Sequence, residues 1–125
     1  MRIEKISSDD YRVHLASQGS WVETATMIYL DQPVGTGFSY GIPIVDNIDE
    51  AAEEFLTFLN NLFNMYTDFP NREMFITGES YGGVYIPAFS WQILQENKKL
   101  GTNRYNLKSS MIGDPYVSLI PQRVT

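Results

Sequence analysis

Met74-Phe-Ile-Thr-Gly-Glu-Ser-Tyr-Gly-Gly-Val-Tyr-Ile-Pro87 is the stretch on which the reading of this chain turns. Met74 to Thr77 is short, apolar and β-compatible, and Pro87 onward reads as helix. Between them, Gly78-Glu79-Ser80-Tyr81-Gly82 matches G-x-S-x-G, the pattern that lifts a serine onto a tight strand-to-helix turn. A side chain at Gly78 or Gly82 is expected to crowd that turn, which forces the serine into an unfavourable backbone region. The geometry exposes the Ser80 hydroxyl at the strand's C-terminal end. It also aims the positive end of a helix dipole at it, which favours developing negative charge. A plain strand–turn–helix connection is the competing reading of the five-residue pattern.

The neighbouring segments predict an α/β order. Ala25-Thr-Met-Ile-Tyr-Leu30 is a nearly continuous apolar run between turn signals, which reads as a buried strand of a parallel sheet. Asp31 to Ile44 holds three glycines and two prolines and reads as a loop. Gly35-Thr-Gly37 does not make a dinucleotide fingerprint, because no third glycine follows at the required offset and Pro43 stands where a helix should begin. These glycines are expected to let the backbone pass close to the serine turn. Ile48, Ala52, Phe55, Leu59, Leu62, Phe63 and Tyr66 recur at helical spacing behind an N-cap at Asp46 or Asn47. Asp49, Glu50, Glu53 and Glu54 suit the helix N-terminus and form a solvated face rather than a metal site. A second helix to about Asn97 turns Ile86, Phe89, Ile93 and Leu94 inward. Tyr105 to Ile112 is a third strand, so the pattern is β-α-β-α-β around the serine turn. Before Ser20 the signal is weakest: Ser7-Ser-Asp-Asp10 and Ser17-Gln-Gly-Ser20 are turns, and Tyr11 to Leu15 alternates as a strand does.

Composition bounds the function. The chain has 125 residues, 43% hydrophobic and 19% charged, which describes one small globular domain. A net charge of −6 with no long basic cluster argues against nucleic acid as a partner. No apolar run reaches the length of a membrane-spanning helix, so no membrane is expected as a partner. Met1-Arg-Ile-Glu-Lys opens with charges, but no apolar region follows, so a signal peptide is not read. There is no cysteine and the single histidine is His14, which excludes disulfides and thiolate metal sites.

The longer string Thr77-Gly-Glu-Ser-Tyr-Gly-Gly-Val-Tyr-Ile-Pro87 resembles the nucleophile motif of the serine carboxypeptidases, a branch of the α/β-hydrolase fold. Asp31-Gln-Pro-Val-Gly-Thr-Gly-Phe-Ser-Tyr40 resembles that family's other hallmark, in the same order and at similar spacing. The resemblance runs from about Tyr11 to about Pro121. It implies a single, incomplete α/β-hydrolase domain over residues 1–125, the central part of such an enzyme. It implies a peptide substrate, no metal and no cofactor, and a secreted, vacuolar or lysosomal setting.

The resemblance also assigns roles. Ser80 would be the acyl-forming nucleophile, and the Tyr81 backbone N–H an oxyanion donor, with the Tyr81 ring beside the substrate's penultimate side chain. Glu79 would share a proton with a second acid and bind the peptide's terminal carboxylate, since two adjacent carboxyls do not both ionise cheaply. That second acid, expected shortly before Tyr11, has no match; Ser7 falls near its place. In this fold the partner acid and histidine follow the serine, and no histidine follows Ser80. Asp114 stands where the family usually has Asn. The family's Asn-Gly-Gly-Pro stretch, source of the second oxyanion donor, does not occur, nor does the strand before it.

The chain alone is therefore expected to be catalytically poor. Apolar strand edges left without neighbours are expected to favour self-association, or pairing with complementary segments, over a cooperative monomer. A catalytically inactive carboxypeptidase-like binding module and another α/β-hydrolase esterase remain alternatives.

Overall fold

The computed structural model describes residues 2–14, 18–42 and 44–118. The chain divides into two compact units, Met1–Leu30 and Asp31–Thr125. Leu15, Ser17, Pro43 and Pro121, which entered the sequence reading, lie outside the described residues.

In the first unit, strands β1 (Arg2–Lys5) and β2 (Tyr11–His14) form an antiparallel hairpin with Arg2 opposite His14 and Lys5 opposite Tyr11. The Ser7–Asp10 turn closes it: Ile6 N–H donates to Asp10 C=O at 2.9 Å. Sequence reading finds β2 and the turn but not β1, whose Arg-Ile-Glu-Lys alternation is too short to separate from a charged terminus. His14 Nε2 lies 2.8 Å from Glu4 Oε2 on the same hairpin. Residues 25–30, expected to be a buried strand, form no ladder among the described residues, and Tyr29 is 83% exposed. A strand is held by its neighbour's main chain. The neighbour that the resemblance supplies is the strand before Asn-Gly-Gly-Pro, which this sequence does not contain.

The second unit carries the α/β architecture. Helix α1 (Ile48–Met65) starts at Asn47, whose Oδ1 accepts from Glu50 N–H at 3.0 Å while its own Nδ2 donates to Glu50 Oε1 at 2.8 Å. Asn47, not Asp46, is thus the cap, and its side chain satisfies one of the donors that a bare helix end leaves open, while the bond between the two side chains steadies it. Strand β3 (Met74–Glu79) leads into helix α2 (Gly82–Leu100), and strand β4 (Leu107–Gly113) returns parallel to β3. Helix α2 begins five residues before Pro87, because Gly83 and Val84 N–H already bond to the Ser80 and Tyr81 carbonyls at 3.0 and 2.9 Å. It ends at Gly101, which is left-handed (φ 63°) and donates back to the Asn97 and Lys98 carbonyls.

The core lies between the two helices and one face of the sheet. Leu56, Leu59 and Phe63 of α1 meet Ile76 of β3, Ile86 and Ile93 of α2, and Tyr105. Tyr105 is fully buried just before β4, not within it. Its hydroxyl donates to Asn60 Oδ1 at 2.6 Å, and its main chain exchanges two hydrogen bonds with the Asn97 carboxamide at 3.0 and 2.8 Å. Those bonds tie the loop before β4 to both helices. Leu94, expected inward, is 53% exposed. It lies one step round the helix from Ile93, beyond the face that α1 and the sheet cover.

Both long helices serve the same sheet face. Phe75 of β3 and Met111 of β4 look out from the other face, 52% and 48% exposed. A parallel strand pair ordinarily has helix cover on both sides; here the second side has none among the described residues.

Candidate active site

The β3–β4 ladder ends with Glu79 opposite Gly113, and Ser80 is the next residue. It stands at the turn between β3 and α2 with φ 53°, the left-handed region that L-residues with side chains avoid. The side chain is exposed, and its hydroxyl makes no hydrogen bond among the described residues. The backbone is fully engaged: Ser80 N–H donates to Gly113 C=O at 3.0 Å, and Ser80 C=O accepts from Gly83 N–H at 3.0 Å and Tyr116 N–H at 2.8 Å. Main-chain bonds thus hold an unfavourable conformation that presents a free hydroxyl at the start of a helix.

The two motif glycines differ in what they spare. A Cβ at Gly78 would lie 2.9 Å from Ile86 Cγ1 and 3.2 Å from the Gly82 backbone, so Gly78 is sterically required. A Cβ at Gly82 would meet only Ile86 and Ile112 at 3.8 and 3.9 Å, ordinary contacts. The expectation of crowding at Gly82 is therefore corrected. The tighter position is Gly83, where a Cβ would lie 2.4 Å from the Tyr116 carbonyl oxygen. Sequence reasoning passed over Gly83. The signal was present, since a second consecutive glycine in a first helical turn lowers helix stability and asks for a packing reason.

Tyr81 precedes α2, half-exposed, with its ring edge-on to Tyr85 at 5.1 Å and stacked on Tyr116 at 5.9 Å. Its N–H has no acceptor among the described residues, which leaves a donor beside the serine. Glu79 closes β3 with an exposed carboxylate that has no hydrogen-bond or ion-pair partner among the described residues. Ser7, near the place expected for its partner acid, is a turn residue of the β1–β2 hairpin.

The Asp31–Tyr40 string folds on itself. Asp31 Oδ2 accepts from Phe38 N–H at 2.9 Å, and Ser39 Oγ donates to the Asp31 carbonyl at 2.7 Å. Gly37 (φ 53°) leaves its Cβ space to the Asp31 carboxylate, while the space beside Gly35 is empty. The glycines therefore serve the loop's own closure; no elbow atom lies where a side chain at either would sit. Phe38 and Tyr40 are almost wholly exposed.

A serine held left-handed between a parallel strand and a helix is the nucleophile-elbow geometry of the α/β-hydrolase fold. Comparison with known proteins gives the family. The serine carboxypeptidase family model matches residues 5–124, and the chain belongs to that family. It is 41% identical over 106 residues to the pheromone-processing carboxypeptidase KEX1 of Candida dubliniensis, covering 83% of this chain and 16% of the relative. The KEX1 protein of Paracoccidioides lutzii is 44% identical over 108 residues, covering 82% of this chain and 17% of the relative. The crystal structure of Kex1(delta)p, a prohormone-processing carboxypeptidase from Saccharomyces cerevisiae, superposes with a TM-score of 0.72 at 32% identity. That match covers 78% of this chain and 23% of the yeast chain. The fold is thus a partial α/β-hydrolase, and the chain spans about a sixth of the length of these curated relatives.

Proposed function

We propose that this chain is the nucleophile-bearing part of a serine-type carboxypeptidase, a single incomplete α/β-hydrolase domain acting on peptides. Ser80 Oγ attacks the carbonyl carbon of the last peptide bond as its proton passes to a base. The C–N bond breaks, the leaving amino acid takes the proton, and water hydrolyses the acyl-serine. The Tyr81 N–H stabilises the oxyanion, and Glu79 and the Tyr81 ring face the substrate. A base matched to the family position does not follow Ser80 in this sequence, and His14 bonds Glu4 within its own hairpin. The chain alone therefore turns over slowly. Family membership points to a secreted, vacuolar or lysosomal setting.

The observation that carries this reading is the exposed Ser80 at φ 53° between β3 and α2. Two assays test it, both following release of the C-terminal residue from an N-blocked dipeptide. Purified chain and Ser80→Ala should be indistinguishable, since a missing base costs about 10²–10⁴-fold and a missing oxyanion donor about 10²–10³-fold. Residues 20–118 grafted into the matching segment of the Candida relative should restore turnover that Ser80→Ala lowers by at least about 10³-fold. A folded graft whose turnover ignores Ser80 refutes the nucleophile assignment, and robust Ser80-dependent turnover by the chain alone refutes the expectation that it is slow.

A further inference from the structure

We infer that the segment from Gly113 to Tyr116 is a positioning brace for the Ser80 turn, seated by Gly83 and held by a second left-handed residue, Asp114. Its functional meaning rests on reading Ser80 as the nucleophile; its geometry does not.

Ser80 and Asp114 are the two non-glycine residues with positive φ among the described residues, at 53° and 41°. They follow the last ladder pair, Glu79 and Gly113, on adjacent parallel strands. The ladder takes one further bond, Ser80 N–H to Gly113 C=O at 3.0 Å. Beyond it, Pro115 has no N–H to continue a ladder and a fixed φ. The left-handed turn at Asp114 then brings the chain back, so that Tyr116 N–H reaches Ser80 C=O at 2.8 Å. Both backbone polar groups of the serine are thereby clamped by one short segment. Frayed strand ends do not have this form, because fraying leaves such groups to solvent.

Close approach is what Gly83 permits. A Cβ there would lie 2.4, 2.8 and 2.9 Å from the O, C and N atoms of Tyr116. All three are main-chain atoms, so no rotamer change relieves the clash. The Tyr81 and Tyr116 rings stack at 5.9 Å over the same junction. Asp114 acts through its backbone: aspartate and asparagine enter the left-handed region more readily than other residues with side chains, and β-branched residues resist it.

The test uses the full chain, isotopically labelled, with two readouts: φ-dependent couplings at Ser80 and amide exchange at Tyr116. Exchange of the Ile93 and Tyr105 amides in the core serves as the control. Gly83→Ala should speed Tyr116 exchange by at least about tenfold and move Ser80 out of left-handed couplings, with core exchange unchanged. Asp114→Asn and Asp114→Gly should preserve both signatures, while Asp114→Val should lose them. That pattern marks a backbone role rather than a carboxylate. If Gly83→Ala opens the core as well, the Asp114 series decides alone. A Ser80 that keeps its couplings in Gly83→Ala, or equal behaviour of Asp114→Val and Asp114→Asn, overturns the brace. Failure of the graft assay with the brace signatures intact would instead overturn the nucleophile reading.

Discussion

Gly78→Ala and Gly82→Ala, a matched pair on either side of Ser80, should move stability in opposite directions. At position 78 the new methyl lies 2.9 Å from Ile86 Cγ1 and 3.2 Å from both Ile86 Cδ1 and the Gly82 Cα. Ile86 cannot step aside easily. Its side chain is β-branched and packs in the core with Leu56, Ile76 and Ile93, and Gly82 Cα is main chain. Overpacking of this kind costs about 1–3 kcal/mol. Lower unfolded-state entropy returns about 0.4–1 kcal/mol, so the net effect is a loss of roughly 0.5–2 kcal/mol. At position 82 the methyl finds contacts at 3.8 and 3.9 Å and sits in a helix, where the same entropy gain of about 0.4–1 kcal/mol stands unopposed. The two variants should differ by about 1–3 kcal/mol, or about 1 M in urea midpoint for a domain of this size. Urea unfolding of wild type and both variants, at one fixed protein concentration, measures the difference. In an Ile86→Ala background the cost of Gly78→Ala should shrink by about 1 kcal/mol, since the crowding atoms are gone. Equal midpoints for the two variants, or an unchanged Gly78→Ala cost in that background, would refute the steric argument.

Tyr105→Phe removes the hydroxyl bonded to Asn60 and leaves a carboxamide oxygen without its donor, so stability should fall by about 1–3 kcal/mol. A double-mutant cycle with Asn60→Ala should show coupling, and strict additivity would contradict the bond. Phe75→Lys combined with Met111→Lys places like charges on the open sheet face, whose apolar side chains are half-exposed. Sizing chromatography at matched concentration should shift toward the monomer; an unchanged profile would refute a role for this face in self-association.

What the sequence disclosed and what it hid divide along the range of the interactions involved. The elbow was legible because a strand, a tight turn and a helix start are neighbours in the chain, each with its own local signal. Helix α1 was legible for the same reason: its apolar spacing and a cap at Asp46 or Asn47 are local signals, and the structure chooses Asn47. Residues 25–30 carried an equally good strand pattern and formed no ladder among the described residues, because pairing depends on main chain from elsewhere and apolar pattern does not report it. Leu94 was misplaced because periodicity gives an inward stripe but not its width, which the covering elements set. The open face of β3 and β4 follows from where α1 packs, and nothing in the apolar spacing of α1 says which side of the sheet it takes.

The Gly113–Tyr116 brace lies at the far end of this range. Gly83 and Tyr116 are 33 positions apart in the sequence and belong to no shared motif. Asp114-Pro115 looked like a strand terminator, which it is, yet the same turn also returns a main-chain donor to the serine. A G-x-S-x-G pattern therefore specifies a turn that strains a serine without specifying what keeps it strained. Left-handed backbone at a residue with a side chain persists only where surrounding structure over-determines it. In this protein the determinants are three main-chain hydrogen bonds to one residue, two of them from a strand exit that only the parallel return of β4 brings into reach. The core around Tyr105 fixes the start of that strand, so the packing that stabilises the unit also aligns the exit with the Ser80 turn.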